Sequence, residues 1–586
     1  MKKKLVSLLV AVGIAAGVAP VSVFADGTEV WDGSIAEDFA GGTGTKDDPY
    51  EIATGAQLAY LGENVKSGTY GEKYADTYFE LTEDIDLGGK EWTPIAYTAA
   101  DLVMGGLAYY VFAGNFDGNG HTIKNLTIGT EASPYSGDVC GLFGATSGTI
   151  EDVVLENVSI NYVGGKHSSG YGFRMGGALV GYSMGDVVNC TVIGLDMKAG
   201  TDGGFVVFNS VGGLVGVQDG ETTVSHSRVS GKISETSKQG DVGGFVGMLV
   251  SGSSAKYCGA DVSVEVTGDG RGSTVGGFVG IGNGETTDKT LIEKCYATGN
   301  ITGAEYAGGF VGNLSGLNID NCYATGDVSK SAVGASFLGT DASSYSYYGT
   351  VKNCYATGLV SDISLSAYAF AMQSKMERSK FENCYYNAKN TANAAESALP
   401  NTIDDMKKDE FVDKLGSEAW IKRDNDTPAC GAEPADYSKV DEALGKIPAD
   451  LSIFTDESVA NLNSAVAAVR RYKNLVHQAD VDKMAEDVNK AVAALEAKPD
   501  EPVTSQPDSE NSSDNSSDTS SSASDSSSSD SKSDSNAESK ADSKSDSSSK
   551  AASNASNTNP STGVAGGAFA LALLSGAAVV MAKKKK

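Results

Sequence analysis

The chain has 586 residues, a formal net charge of −31, 72 glycines, eight cysteines and four histidines. So acidic a surface repels nucleic acid and anionic lipid, and excludes both as partners. None of the histidines, His121, His167, His226 and His477, stands in the HExxH pattern that a zinc peptidase needs.

Residues 1–25 read as a secretory signal peptide. Lys2–Lys4 are followed by an apolar run, and small residues Val23 and Ala25 precede a cleavage point at Ala25/Asp26. An N-terminal cap is expected over 26–115, with a helix at Gly55–Val65. A repeat follows over 116–395. One column runs Leu126, Val153, Cys190, Ser227, Cys258, Cys295, Cys322, Cys354 and Cys384. A second holds glycines in GGALVG, GGLVG and GGFVG, at Gly181, Gly216, Gly247, Gly280 and Gly312. Each unit is short and β-prone and lacks a helical period. It cannot bury a face alone, so stacking is required. The fold class is therefore mainly β, a parallel β-solenoid (β-helix) of about nine coils. At a rung spacing of about 4.8 Å it forms a rod of roughly 40 Å.

The cysteine column admits leucine, valine and serine, which a metal site would not tolerate, and no histidine accompanies it at ligand spacing. A disulfide framework belongs to small, core-poor domains. Cys190, Cys258, Cys295, Cys322, Cys354 and Cys384 are thus expected to be a buried, unpaired ladder of small side chains. Asn125, Asp152, Asn189, Asn321, Asn353 and Asn383 precede it as a turn column, interrupted by His226, Tyr257 and Lys294.

These motifs resemble the GLUG repeat. The resemblance extends from about Gly41 to Ala429 and takes in "FDGNGHTIKNLTIG" at Phe116–Gly129 and "DDMKKDEFVDKLGSEAW" at Asp404–Trp420. Residues 396–435 are expected to close the solenoid. Beyond them, apolar residues at helical spacing mark helices at Tyr437–Lys446, Asp456–Tyr472 and Asp480–Ala497. This segment, 436–498, resembles the FIVAR module, a three-helix bundle of bacterial surface proteins, which implies a spacer or binding element.

Residues 499–558 are dominated by serine and aspartate and are expected to be a disordered stalk. The end, 559–586, joins Asn559, Pro560, Ser561, Thr562 and Gly563 to an apolar run, Val564–Ala582, and to Lys583–Lys586. Taken alone the run is long enough to be transmembrane. The order of motif, span and basic tail resembles the Gram-positive LPxTG sorting signal, with Asn559 in place of leucine. That resemblance implies cleavage at Thr562/Gly563 by a sortase and covalent attachment of Thr562 to peptidoglycan.

No catalytic residues, metal ligands or cofactors are assigned. Asp117, Asp152, Asp241, Asp261, Glu293 and Asp320 form no visible cluster, and His121 reads as a turn residue. Tyr345, Tyr347, Tyr348, Tyr385 and Tyr386 are candidates for stacking on sugars. The insertions Lys198–Phe208 and Asp269–Thr274 are candidate contact loops. The expected role is a wall-anchored adhesin or binding protein for an extracellular glycan or protein, the alternatives being a wall-displayed carbohydrate-active enzyme and a structural coat protein.

Overall fold

The computed structural model describes residues 30–65, 74–96, 111–165, 171–201, 205–237, 239–250, 252–268, 272–284, 290–341, 349–372, 379–390, 393, 398–416, 419–423, 425–471 and 473–498. Both chain ends, with the signal peptide, stalk and sorting segment, lie outside these residues. Among the described residues no helix is long and apolar enough to cross a membrane.

Four parallel sheets of 11, 16, 8 and 7 strands run the length of a β-solenoid. One coil is seen at 291–315. Leu291–Glu293 lies in the first sheet, Tyr296–Ala297 and Ile301–Thr302 in the second, Tyr306–Gly308 in the third and Val311–Ser315 in the fourth. The next coil repeats it in register: Ile292 pairs with Ile319, Tyr296 with Tyr323, Ala307 with Gly334 and Val311 with Leu338. The first sheet continues upstream of the nine repeat coils into Tyr50–Ile52 and Tyr78–Leu81. Part of the expected cap therefore winds as solenoid, with helix α1 at Gly55–Val65 laid against the core through Leu58, Leu61 and Val65.

The glycine column has a steric cause. The third strand turns back into the fourth so tightly that a Cβ on Gly280 would lie 2.6 Å from the Gly247 carbonyl oxygen, and one on Gly312 2.6 Å from that of Gly280. Beside this arch, Phe245, Phe278, Phe310, Phe337 and Phe370 stack at centroid distances of 4.7, 5.0, 4.9 and 4.8 Å. Coil-to-coil repetition places every ring over its neighbour, and each is fully buried.

All six ladder cysteines are buried and unpaired. They do more than fill space. The Cys295 and Cys322 thiols each donate to the carbonyl two residues back, at 3.2 Å, and the Cys322 sulfur accepts the Cys295 N–H at 3.4 Å. Ser227 makes the same pair of contacts, its hydroxyl donating to the Ser225 carbonyl at 2.8 Å and accepting from the Cys190 N–H at 2.9 Å. This shared hydrogen-bonding role is why serine fits the column. Burial pushes the Cys322 thiol well above its ordinary value, so it is a poor nucleophile. Cys322→Ala is expected to cost about 1–2 kcal/mol and Cys322→Ser less, read by urea unfolding. The ladder thiols should label under denaturing, non-reducing conditions; labelling that requires a reductant would contradict the unpaired ladder.

The C-terminal segments pack on the rod's second sheet. Helices α2 (Ile403–Met406) and α3 (Asp409–Leu415) and the hairpin Trp420–Arg423/Asp426–Cys430 precede α4 (Ser438–Leu444), α5 (Asp456–Ala467) and α6 (Gln478–Ala493). Helix α5 begins where Thr455 accepts the Ser458 N–H, a regular N-cap. It stops at Ala467, short of the expected Tyr472, and the chain beyond supplies Arg470, Lys473 and Asn474 to the rod.

Candidate functional site

From Asp152 to Asn383 every residue of the turn column has a positive φ, between 50° and 55°. Asn125 and Leu126, expected to open the turn and cysteine columns, do not belong to them: Thr127 pairs with Ser159 and Thr122 with Val154, so that they stand beside Asn157 and Val158 instead. Asn and Asp tolerate that left-handed backbone, whereas His226 (53°), Tyr257 (54°) and Lys294 (52°) bear strain there. These three exceptions adjoin one another. His226 stacks on Tyr257 at 5.0 Å, and Lys294 Nζ donates to the Tyr257 hydroxyl at 2.9 Å. The helical module docks on this group. Asn474 donates to the Tyr257 carbonyl at 2.9 Å, Arg228 bonds Asn474, and His477 lies 5.1 Å from His226 between ring centroids. Strain retained at a contact surface points to a role for the contact.

Next to the cysteines runs an outward column that register places as Thr122, Val154, Thr191, Arg228, Gly259, Tyr296, Tyr323, Tyr355 and Tyr385. Its tyrosines are covered by Met406, Phe411, Leu415 and Trp420. Tyr355 donates to the Pro428 carbonyl at 2.5 Å, and Tyr323 bonds Glu433. Tyr385 and Tyr386 are therefore buried, 8% and 5% exposed, and do not offer free stacking faces. Tyr345, Tyr347 and Tyr348 lie outside the described residues.

The structure assembles a cluster that spacing along the chain conceals. In the first sheet Glu51 pairs with Glu80, Glu80 with Asp117 and Asp117 with Glu151, one half-buried carboxylate per rung. Asp152 adjoins it. Burial, then neighbouring carboxylates, raise Glu80 above its ordinary value. Glu151 is raised for the same reasons, by burial and then by Asp117 and Asp152. Asp117 is raised by burial, against the Asn119 N–H that stabilises its charge. His121 sits at the rim in a turn, its Nδ1 3.3 Å from Asp84, which also accepts the Thr122 N–H at 2.9 Å. Further along the same column both signs occur, as Lys256, Glu293, Asp320, Lys352 and Glu382. The ladder is thus an acidic strip confined to the N-terminal coils.

The other acids stand apart. Asp241 lies in the third sheet, where burial raises it to about 7 against the Thr274 hydrogen bond and Arg174. Asp261 is on the second sheet and bonds the Thr298 hydroxyl at 3.0 Å. No group of His, Cys, Asp or Glu among the described residues could hold a metal ion. The insertion at Lys198–Phe208 differs from the expected loop. Its ends extend strands, Thr191–Ala199 and Phe205–Gly212, because the sheets widen here around a buried ion pair, Arg174–Glu235. The 269–271 part of the second insertion lies outside the described residues, as do Ala25/Asp26 and Asn559–Gly563.

A parallel β-solenoid with stacked glycine arches is the class of protein this geometry defines. The GLUG motif model matches residues 303–329, which make one full turn of the coil. Halomucin of Haloquadratum walsbyi is 29% identical over 194 residues, 32% of this chain and 2% of halomucin. A protein of Evansella cellulosilytica provisionally named Gly-rich membrane protein is 34% identical over 161 residues, 26% of this chain and 15% of its own length. The chain thus spans only a small part of either relative. A crystal structure from Bacteroides ovatus, of a protein provisionally named immunoglobulin A1 protease, aligns over 68% of this chain and 98% of its own, at 19% identity and a TM-score of 0.33. Likeness at that level carries no functional argument.

Proposed function

We propose that this is an exported surface protein, linked to peptidoglycan through Thr562 by a sortase, whose solenoid binds an extracellular glycan or protein. The observation that carries the binding role is the acidic ladder Glu51–Glu80–Asp117–Glu151. A flat sheet with one carboxylate every ~4.8 Å suits an extended, regularly spaced ligand bearing hydroxyl or cationic donors. The ladder is also costly to the fold. Carboxyls raised by packing contribute stability below their ordinary values and lose it as pH rises through the raised ones, so at neutral pH the strip repels itself. A donor-rich ligand would relieve that repulsion. The relatives' names, a mucin and a membrane protein, agree with an extracellular setting.

A glycan and matrix-protein array probed with residues 26–498 tests this reading. Retention of an unaltered ligand, lost on Glu80→Gln with Asp117→Asn, is expected. The same raised carboxylates favour a second reading, a carbohydrate-active enzyme, because a glycosidase pairs two carboxyl groups of which one keeps its proton. Shortened or unsaturated sugars among the array products would establish that reading instead. Absence of binding across the array would leave a structural coat role.

A further inference from the structure

The described residues contain three histidines, and two of them, His226 and His477, meet across the seam between rod and helical module. His226 occupies a left-handed turn position where five other coils place Asn or Asp, so its identity is not set by the backbone. The seam is otherwise rich in cations. Lys473 precedes the 3-10 turn Leu475–His477 that carries His477. Lys294 lies 4.9 Å over the Tyr257 ring on which His226 stacks. Arg228 is buried beside Asn474. The acids at the seam are Asp480, one turn beyond His477, Glu293, whose Oε1 lies 3.0 Å from Lys294 Nζ, and Glu433, whose carbonyl accepts the Leu475 N–H at 2.6 Å. Two further imidazolium charges would enter beside Lys473, the cation that acts on both rings, while Lys294 is paired with Glu293 and Arg228 lies near Glu433.

We propose that this seam is an acid-released latch, in which protonation of His226 and His477 detaches the helical module and uncovers the His226–Tyr257–Arg228 face of the rod. Burial, then His477 and Lys473, hold His226 below the ordinary imidazole value; burial, then Lys473, do the same to His477. A depressed imidazole in the docked state means that its contribution to docking is fully present above the ordinary value and is lost as pH falls from there through the depressed one. Glu433 acts in the opposite sense. Burial raises it to about 7 against Arg228, so its contribution is present at acid pH and lost as pH rises through about 7. Release on acidification would thus run against Glu433 and with the imidazoles.

Hydrogen exchange of the full mature protein, corrected for intrinsic rates and compared between about pH 8 and pH 5, tests the latch. At the higher pH the Leu475 and His477 amides should be protected, with protection lost at the lower. The Phe310 and Tyr323 amides of the ladder should stay protected throughout. His226→Asn restores the residue type that the turn prefers and leaves Asn474 its partners. Combined with His477→Asn, it should keep the module docked at both values, whereas His121→Asn should leave the acid release intact. Protection at Leu475 and His477 that is unchanged by pH would overturn the proposal. So would detachment of the double variant at every pH, which would make the histidines static contacts, or simultaneous loss of ladder protection, which would mean general acid unfolding.

Discussion

Replacing Glu235 with alanine is expected to destabilise the fold by about 3–5 kcal/mol, the cost of stranding a buried charge. Arg174 and Glu235 are wholly buried, their side chains 0% exposed. The pairing is two-pronged, with Nη2 2.7 Å from Oε2 and Nη1 3.3 Å from Oε1. Arg174 also donates to the Gly200 carbonyl at 3.0 Å and to Asn209, while Glu235 accepts the Ser237 N–H at 2.7 Å. These bonds tie three successive coils together where their strands lengthen. Without Glu235 the guanidinium keeps only neutral partners and Asp241, a carboxyl that burial holds near 7. The paired change Arg174→Met with Glu235→Leu removes both charges and should recover most of the loss. Urea unfolding of the variants measures this. A single variant as stable as the parent would show that the pair is not buried.

Gly280→Val should have an effect of comparable size by a different route. The new side chain would meet the Gly247 carbonyl oxygen at 2.6 Å and the Val242 backbone at 2.8 Å, and main chain on both sides leaves it no room to turn aside. Overpacking commonly costs 1–3 kcal/mol, and with backbone on either side about 3 kcal/mol or more is expected here. Because each coil touches only its neighbours, the damage falls on one coil-to-coil interface. Urea unfolding should accordingly broaden or split as the two halves of the rod uncouple. Gly62, within α1, is different: a methyl added there would meet only the Ile95 side chain, at 3.6 Å. Gly62→Ala should be neutral or stabilising by up to about 1 kcal/mol, which separates a steric glycine from an incidental one.

Features that repeat along the chain were legible in the sequence. The cysteine column, the GGFVG arches and the stacking of nine coils follow from residues that recur with the coil, and α1 occupies the expected Gly55–Val65. Features that arise from register across irregular coil lengths were not. Glu51, Glu80, Asp117 and Glu151 are separated by unequal stretches of chain and align only once the first sheet is formed. Nothing along the chain marks the tyrosine of "CYATG" as covered, yet residues 403–432, over a hundred positions from Tyr296, bury it. His226, Tyr257 and Lys294 read as interruptions of an asparagine column. In the fold they are adjacent rungs beneath the helical module, and the long-range contact gives them their meaning.

The proposed wall attachment requires that Thr562 become covalently joined to peptidoglycan. Muramidase digestion of cells, followed by mass analysis of the released protein, tests this most directly. The account predicts a chain that begins at Asp26, ends at Thr562 and carries peptidoglycan fragments on that threonine. Release by detergent alone, with Gly563–Lys586 still attached, would contradict it.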